Sequence, residues 1–208
     1  MNINTNILRR FIIYMAILTF VMFTVWAFVK SFKNRPPGDY ETEVCDNRLK
    51  DKLYEKALTA ANLALTKTPN HRGAIMCKAL IFISQKNYIL ANNELNYLIT
   101  FLEKNILPDD KTGVGTLAAA YANRGIIKDR TKDYEGALKD YIKALGIDDT
   151  AVAGPGLGTI ILNYKFKSSS VRDRALYLNE QLQLPESERV LSIKELDEGQ
   201  VMHKPGKL

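Results

Sequence analysis

Acidic residues are missing from the first 38 positions, and Phe11 to Val29 holds no charge, glycine or proline at all. The 208-residue chain has only two cysteines, two histidines and one tryptophan. These scarcities exclude a good deal. His71 and His203 lie at a segment boundary and near the C-terminus, and neither has a partner at a metal-ligand spacing. No Ser/His/Asp arrangement and no glycine-rich nucleotide loop can be assembled. "GPGLG" at 154–158 has the wrong spacing and is not followed by Gly-Lys-Ser/Thr. The chain is therefore expected to be non-enzymatic, with no cofactor and no metal site.

The acid-free N-terminus also explains the net charge of +6. Arg9, Arg10, Lys30, Lys33 and Arg35 precede the first acid, Asp39. Removing those five from the 29 Lys and Arg leaves 24 bases against 23 acids. A nearly neutral body does not track phosphates, so no nucleic-acid partner is expected.

What is present begins with that uncharged run, "FIIYMAILTFVMFTVWAFV". Nineteen helical residues span about 28 Å, close to a bilayer core. Tyr14 and Trp26 sit near its two ends, where amphipathic rings prefer the interface. The run is longer than the apolar region of a signal peptide, and no small-x-small cleavage site follows. The expected layout is a tail (1–10), a transmembrane anchor (11–30) and a linker (31–39) broken by Pro36, Pro37 and Gly38. The flanking cations leave two orientations. A signal-anchor pattern places the remainder in the periplasm. Counting Lys and Arg after the run favours the cytoplasm.

Beyond residue 40 the text repeats. "LYEKALTAANLALTKTPN" (53–70), "NYILANNELNYLITFLEK" (87–104) and "DYEGALKDYIKALGIDDT" (133–150) each carry an early aromatic and an alanine three residues on. Tyr54 to Tyr88 and Ala57 to Ala91 are both steps of 34; the step to Tyr134 and Ala137 is 46, a further period plus 12. The last copy sets Tyr121, Gly125, Tyr134, Ala137, Tyr141 and Ala144 in alternating large and small places. The first offers Tyr54, Ala57, Ala61, Ala64 and a closing Pro69. The second offers Ile75, Ala79, Phe82, Tyr88, Ala91, Leu95 and Leu98. This pattern resembles the tetratricopeptide repeat (TPR) family. The likeness departs from the family at Arg124 and Lys128, where leucine and tyrosine are usual, and at Glu103 and Asp149, where proline is commonest.

The resemblance implies an all-α solenoid of helical hairpins, about three repeats over 40–71, 72–104 and 117–150, with a loop at 104–116. Small side chains let paired helices approach closely. Residues 151–185 are expected as capping helices, with Ser170 an N-cap, and 186–208 as a polar tail. Cys45 and Cys77 fall on the first helices of adjacent repeats and are expected as small packing residues rather than a bonded pair; two cysteines do not decide the redox compartment. His71 is expected at a surface turn, and Asp109 and Asp110 in a solvated loop.

In the TPR family the first helices line a concave, peptide-binding surface. Here they offer Met76, Leu80, Ile83, Ala119, Ala122, Asn123, Ile126 and Arg130. Asn123 matches a place where some members of that family hold a ligand backbone or carboxylate. The implied partner is a segment of another protein. The layout looks like small membrane-anchored TPR proteins of bacterial inner membranes, so a tethered scaffold is the expected role. A structural subunit whose anchor packs with other membrane helices is the alternative.

Overall fold

The computed structural model describes residues 5–33, 35–107, 109–152, 170–193, 200 and 202–204. Among these there are eight α-helices and no strand. They are α1 (Thr5–Lys33), α2 (Asp39–Lys50), α3 (Tyr54–Lys67), α4 (Arg72–Ser84), α5 (Tyr88–Asn105), α6 (Lys111–Arg130), α7 (Tyr134–Ile147) and α8 (Val171–Gln183), followed by a 3₁₀ turn at Glu186–Glu188. The first of the expected capping helices and the "GPGLG" stretch fall outside the described residues.

The α1 helix is long and apolar enough to cross a membrane, and from Thr5 to Lys30 none of its hydrophobic side chains is covered by protein. The other helices pair in chain order. α2 packs on α3, α4 on α5 and α6 on α7. Each hairpin then meets the next through α3–α4 and α5–α6, and the first helices touch one another through α2–α4 and α4–α6. α8 packs on α7.

Small residues sit at these crossings. Ala57, Ala64, Ala79, Ala91, Ala137 and Ala144 are wholly buried. Tyr121 and Tyr141 are buried, Tyr54, Tyr88 and Tyr134 are half-buried, and Pro69 is exposed. Gly125 has the strictest requirement. A Cβ there would lie 2.6 Å from two carbons of the Tyr141 ring and 3.3 Å from the Ala137 carbonyl oxygen. The ring cannot easily retreat, being 1% exposed with its hydroxyl donated to Asp129. Gly125→Ala gains about 1 kcal/mol of helix propensity but overpacks the crossing by about 1–3 kcal/mol. Net destabilisation is the expected result of a thermal melt. Gly146→Ala, with nothing within 4 Å of its would-be Cβ, supplies the stabilised control.

The three hairpin turns are copies of one another. Lys52, Lys86 and Lys132 all adopt left-handed backbone, with φ of 58°, 60° and 68°. Each turn closes with the same bond pair, for example Asn87 N–H to the Phe82 carbonyl and Lys86 N–H to the Ile83 carbonyl. This is the Schellman ending of an α-helix, with the left-handed residue just past the helix end. Asn87 and Asp133 then cap α5 and α7, accepting from Leu90 and Gly136 N–H. Leu53 has the same backbone angles at the start of α3 but no oxygen to offer. Leu53→Asp is therefore expected to stabilise the first hairpin by about 0.5–1 kcal/mol, measurable as a higher melting temperature.

Arg124 and Lys128, which break the repeat pattern, have a shared explanation. Both pair with Asp140 of α7: Arg124 donates through two nitrogens at 2.7 Å each, and Lys128 Nζ lies 2.9 Å away. Arg124 also donates to Asn96 of α5. The pairing sits at a fixed register, because Lys78–Glu94 occupies the equivalent places one hairpin earlier at 2.6 Å. Charge at those two positions is thus matched across the helices rather than left on a surface.

Residues 104–116 are not the loop the sequence led one to expect. α5 runs to Asn105, and α6 begins at Lys111, with Gly113 and Gly115 buried inside it. Asp110 is what starts the helix early: its Oδ1 accepts from Gly113 N–H at 2.8 Å, and its other oxygen pairs with Arg72 of α4. That pairing, with the capping bond, holds the carboxyl below its usual pKa. Gly113 is needed because a Cβ would collide with the Asp110 carboxylate.

Candidate functional site

Seven of the eight residues offered for the binding surface are covered by the protein's own atoms, Arg130 being the exception. Met76, Leu80 and Ile83 of α4, and Ala119, Ala122 and Ile126 of α6, belong to one continuous hydrophobic cluster. Arg130 is exposed, on the rim of an open cleft of about 250 Å³ bounded by Tyr88, Lys132 and Tyr134.

Asn123 is fully buried; its Nδ2 lies 3.5 Å from the Met76 sulfur, and its main engagement is with one residue of the C-terminal segment. Oδ1 accepts from the main-chain N–H of His203 at 2.8 Å, and Nδ2 donates to the His203 carbonyl at 2.7 Å. One side chain thereby reads both main-chain groups of one residue. That grip depends on backbone direction and not on which side chain the residue carries.

The rest of the described C-terminal segment lies across the same first helices. Gln200 donates to Asp129 at the end of α6 (2.6 Å) and to the Tyr141 hydroxyl (3.3 Å). Met202 packs on the main cluster, its sulfur 4.0 Å from Ser84 Oγ of α4. Lys204 pairs with Asp46 of α2. Read from Gln200 to Lys204, the segment passes from α6 towards α2, against the order of the hairpins. The sequence alone presents 186–208 as a polar tail. The structure instead buries His203, whose main-chain N–H and C=O both pair with the Asn123 amide.

His203 feels that burial. Loss of water lowers its pKa from 6.5 to about 4. Arg174 and Tyr141 line the same small cavity. A depressed histidine is neutral when docked and takes up its proton on release. Stability from docking is thus complete above pH 6.5 and falls as pH drops from 6.5 towards 4. Hydrogen exchange at the His203 amide should accelerate over that interval relative to the α4 amides, and unchanged protection would refute this account.

A buried ion pair fixes the far end of the groove. Arg174 of α8 donates to both oxygens of Asp129 at 2.7 Å, with each side chain at most 3% exposed. The Tyr141 hydroxyl shares Asp129, and the Leu191 carbonyl accepts from Arg174. Desolvation, then the Asp129 charge, holds the Tyr141 phenol well above its usual pKa, so it remains a donor. Nothing at sequence level pairs residues 45 positions apart on α6 and α8.

Cys45 and Cys77 are not separate packing residues. They form a disulfide joining α2 to α4, with both residues wholly buried. Among the described residues, the single cluster with metal-ligand chemistry is Cys45, Asp46 and Cys77. Its sulfurs are bonded to each other, so no thiolate is left for an ion. His71 is more than a turn residue. It caps α4 by accepting from Ala74 N–H, and its Nε2 meets Asp39 Oδ1 at 2.9 Å, tying α4 to the start of α2. Comparison with protein-family models, curated proteins and solved structures finds no match for this chain.

Proposed function

We propose that the chain is a membrane-tethered, TPR-like solenoid whose work is to hold a segment of another protein, without catalysis. The observation that carries this reading is the Asn123 grip. A buried amide placed to take the N–H and C=O of one residue is suited to recognising peptide backbone. The repeated turns, the 34-residue step and the sequential hairpin pairing support a TPR-type arrangement, in which first helices share one face.

The disulfide favours one orientation. Such bonds persist in oxidising compartments and are rare in the cytosol. With α1 as a single span, the helical hairpins then face the periplasm or an equivalent exterior, and Arg9 and Arg10 remain inside. A bacterial inner membrane suits this layout. Thiol labelling of intact cells tests the orientation: both cysteines are expected to be blocked until reductant is added, and free thiols in untreated cells would reverse it.

The alternative, a subunit whose anchor packs against other membrane helices, has less in its favour. Membrane helix seams use small residues and polar groups. α1 has no glycine, and the hydroxyls of Thr19 and Thr24 are donated to carbonyls of their own helix.

The direct test is photo-crosslinking in cells, with a photoreactive residue at Arg130 or Ser84, in the full chain and in a chain lacking residues 199–208. A discrete adduct to a second protein, removed by Asn123→Ala, is expected. Adducts confined to lipid or to the chain itself in both forms would overturn the reading.

A further inference from the structure

We propose that Gln200 and residues 202–204 belong to a built-in ligand: they occupy the groove across α2, α4 and α6 in the resting chain, and the external segment that displaces them is an extended peptide carrying a basic residue next to the residue held by Asn123. This deepens the reading above and rests on it.

The segment's contacts divide into two kinds. The Asn123 bonds to His203 are main-chain bonds and accept many sequences. The two flanking contacts are chemical. On one side Gln200 gives its amide to Asp129, which already serves Arg174 and Tyr141. On the other side Lys204 meets Asp46. A carboxylate at each end of a groove, about four residues of chain apart, favours a donor at each end of whatever lies there. Asp46 is the selective one. Asp129 is held by Arg174 whether or not the groove is filled, but the carboxylate of Asp46 turns to the occupant.

The segment is also built to lie extended and to leave. Pro205 follows Lys204, and a residue before proline is biased away from helical backbone. The described part holds just one sizeable apolar side chain, Met202, so the segment contributes a small share of the apolar core. Helix pairing from α2 to α7 does not run through it. An occupant held by one amide, two end contacts and a methionine is exchangeable in a way that a core helix is not.

A fluorescently labelled peptide of residues 198–208 tests this on the purified full chain and on a chain lacking residues 199–208, both in mild detergent. The shortened chain is expected to keep its helical circular dichroism and bind the peptide saturably. The full chain, its groove occupied, should bind at least ten-fold more weakly. Asn123→Ala in the shortened chain should reduce affinity at least ten-fold. A peptide with Lys204→Glu should bind poorly to the shortened chain but regain affinity when that chain carries Asp46→Lys. The proposal is overturned if the shortened chain unfolds, which would make the segment a structural part of the core. It is equally overturned if the shortened chain folds without binding the peptide, or if both chains bind it alike. Because the assay uses purified components, it can fail or succeed separately from the cellular crosslinking that tests for an external partner.

Discussion

Replacing Asp129 with alanine is expected to destabilise the helical region by about 3–5 kcal/mol. The estimate follows from what remains behind. Arg174 is 1% exposed and would lose both 2.7 Å bonds to the carboxylate while still sealed between α6 and α8. The Tyr141 hydroxyl and the Gln200 amide would lose the same acceptor. A buried cation without its counter-charge is costly, whereas removing both charges together is often nearly neutral. The double replacement Asp129→Leu with Arg174→Met should therefore recover most of the loss. Thermal melting in detergent, followed by circular dichroism with α1 contributing a constant background, reads both variants. Equal stability of Asp129→Ala and the parent chain would show that water reaches Arg174.

The second large effect concerns the disulfide. Cys45 and Cys77 are 32 positions apart. Closing a loop of that size removes unfolded-state entropy equivalent to about 3–4 kcal/mol. The bond falls in the smaller apolar cluster. α2 is short and buries only Glu41, Thr42 and Cys45, and its cluster with α3 and α4 is the smaller of two. Cys45→Ala with Cys77→Ala should lower the denaturation midpoint accordingly, as should added reductant on the parent chain. The loss should be local first, with hydrogen exchange quickening in α2 and α3 before α6 and α7. A midpoint indifferent to reductant would contradict the bonded pair and, with it, the argument that the hairpins face an oxidising compartment.

Much of the helical layout is readable from residue order because the signals are local. Alanine and glycine recurring among aromatics, with a step of 34, mark which faces touch. The turn text "QKNY" or "TKDY" marks where a helix stops, through a left-handed lysine and an Asn or Asp cap. Gly113 and Gly115 mislead for the opposite reason. Glycine argues for a loop by propensity, yet Asp110 supplies a cap and both glycines are buried, so the helix begins six positions early relative to the expected 117. Arg124 and Lys128 look like defects in the repeat until Asp140 is seen across the hairpin.

By itself the sequence determined the long apolar N-terminal helix, the helical class and the small-and-large rhythm of the crossings, since each depends on neighbours a few residues away or on composition. The tertiary structure alone decided three long-range pairings: Cys45 with Cys77, Asp129 with Arg174, and Asn123 with the backbone of His203. No local rule reaches across 32, 45 or 80 positions. Those unions exist because packing brings polar groups into dry places, where each has to be satisfied by whatever the fold delivers.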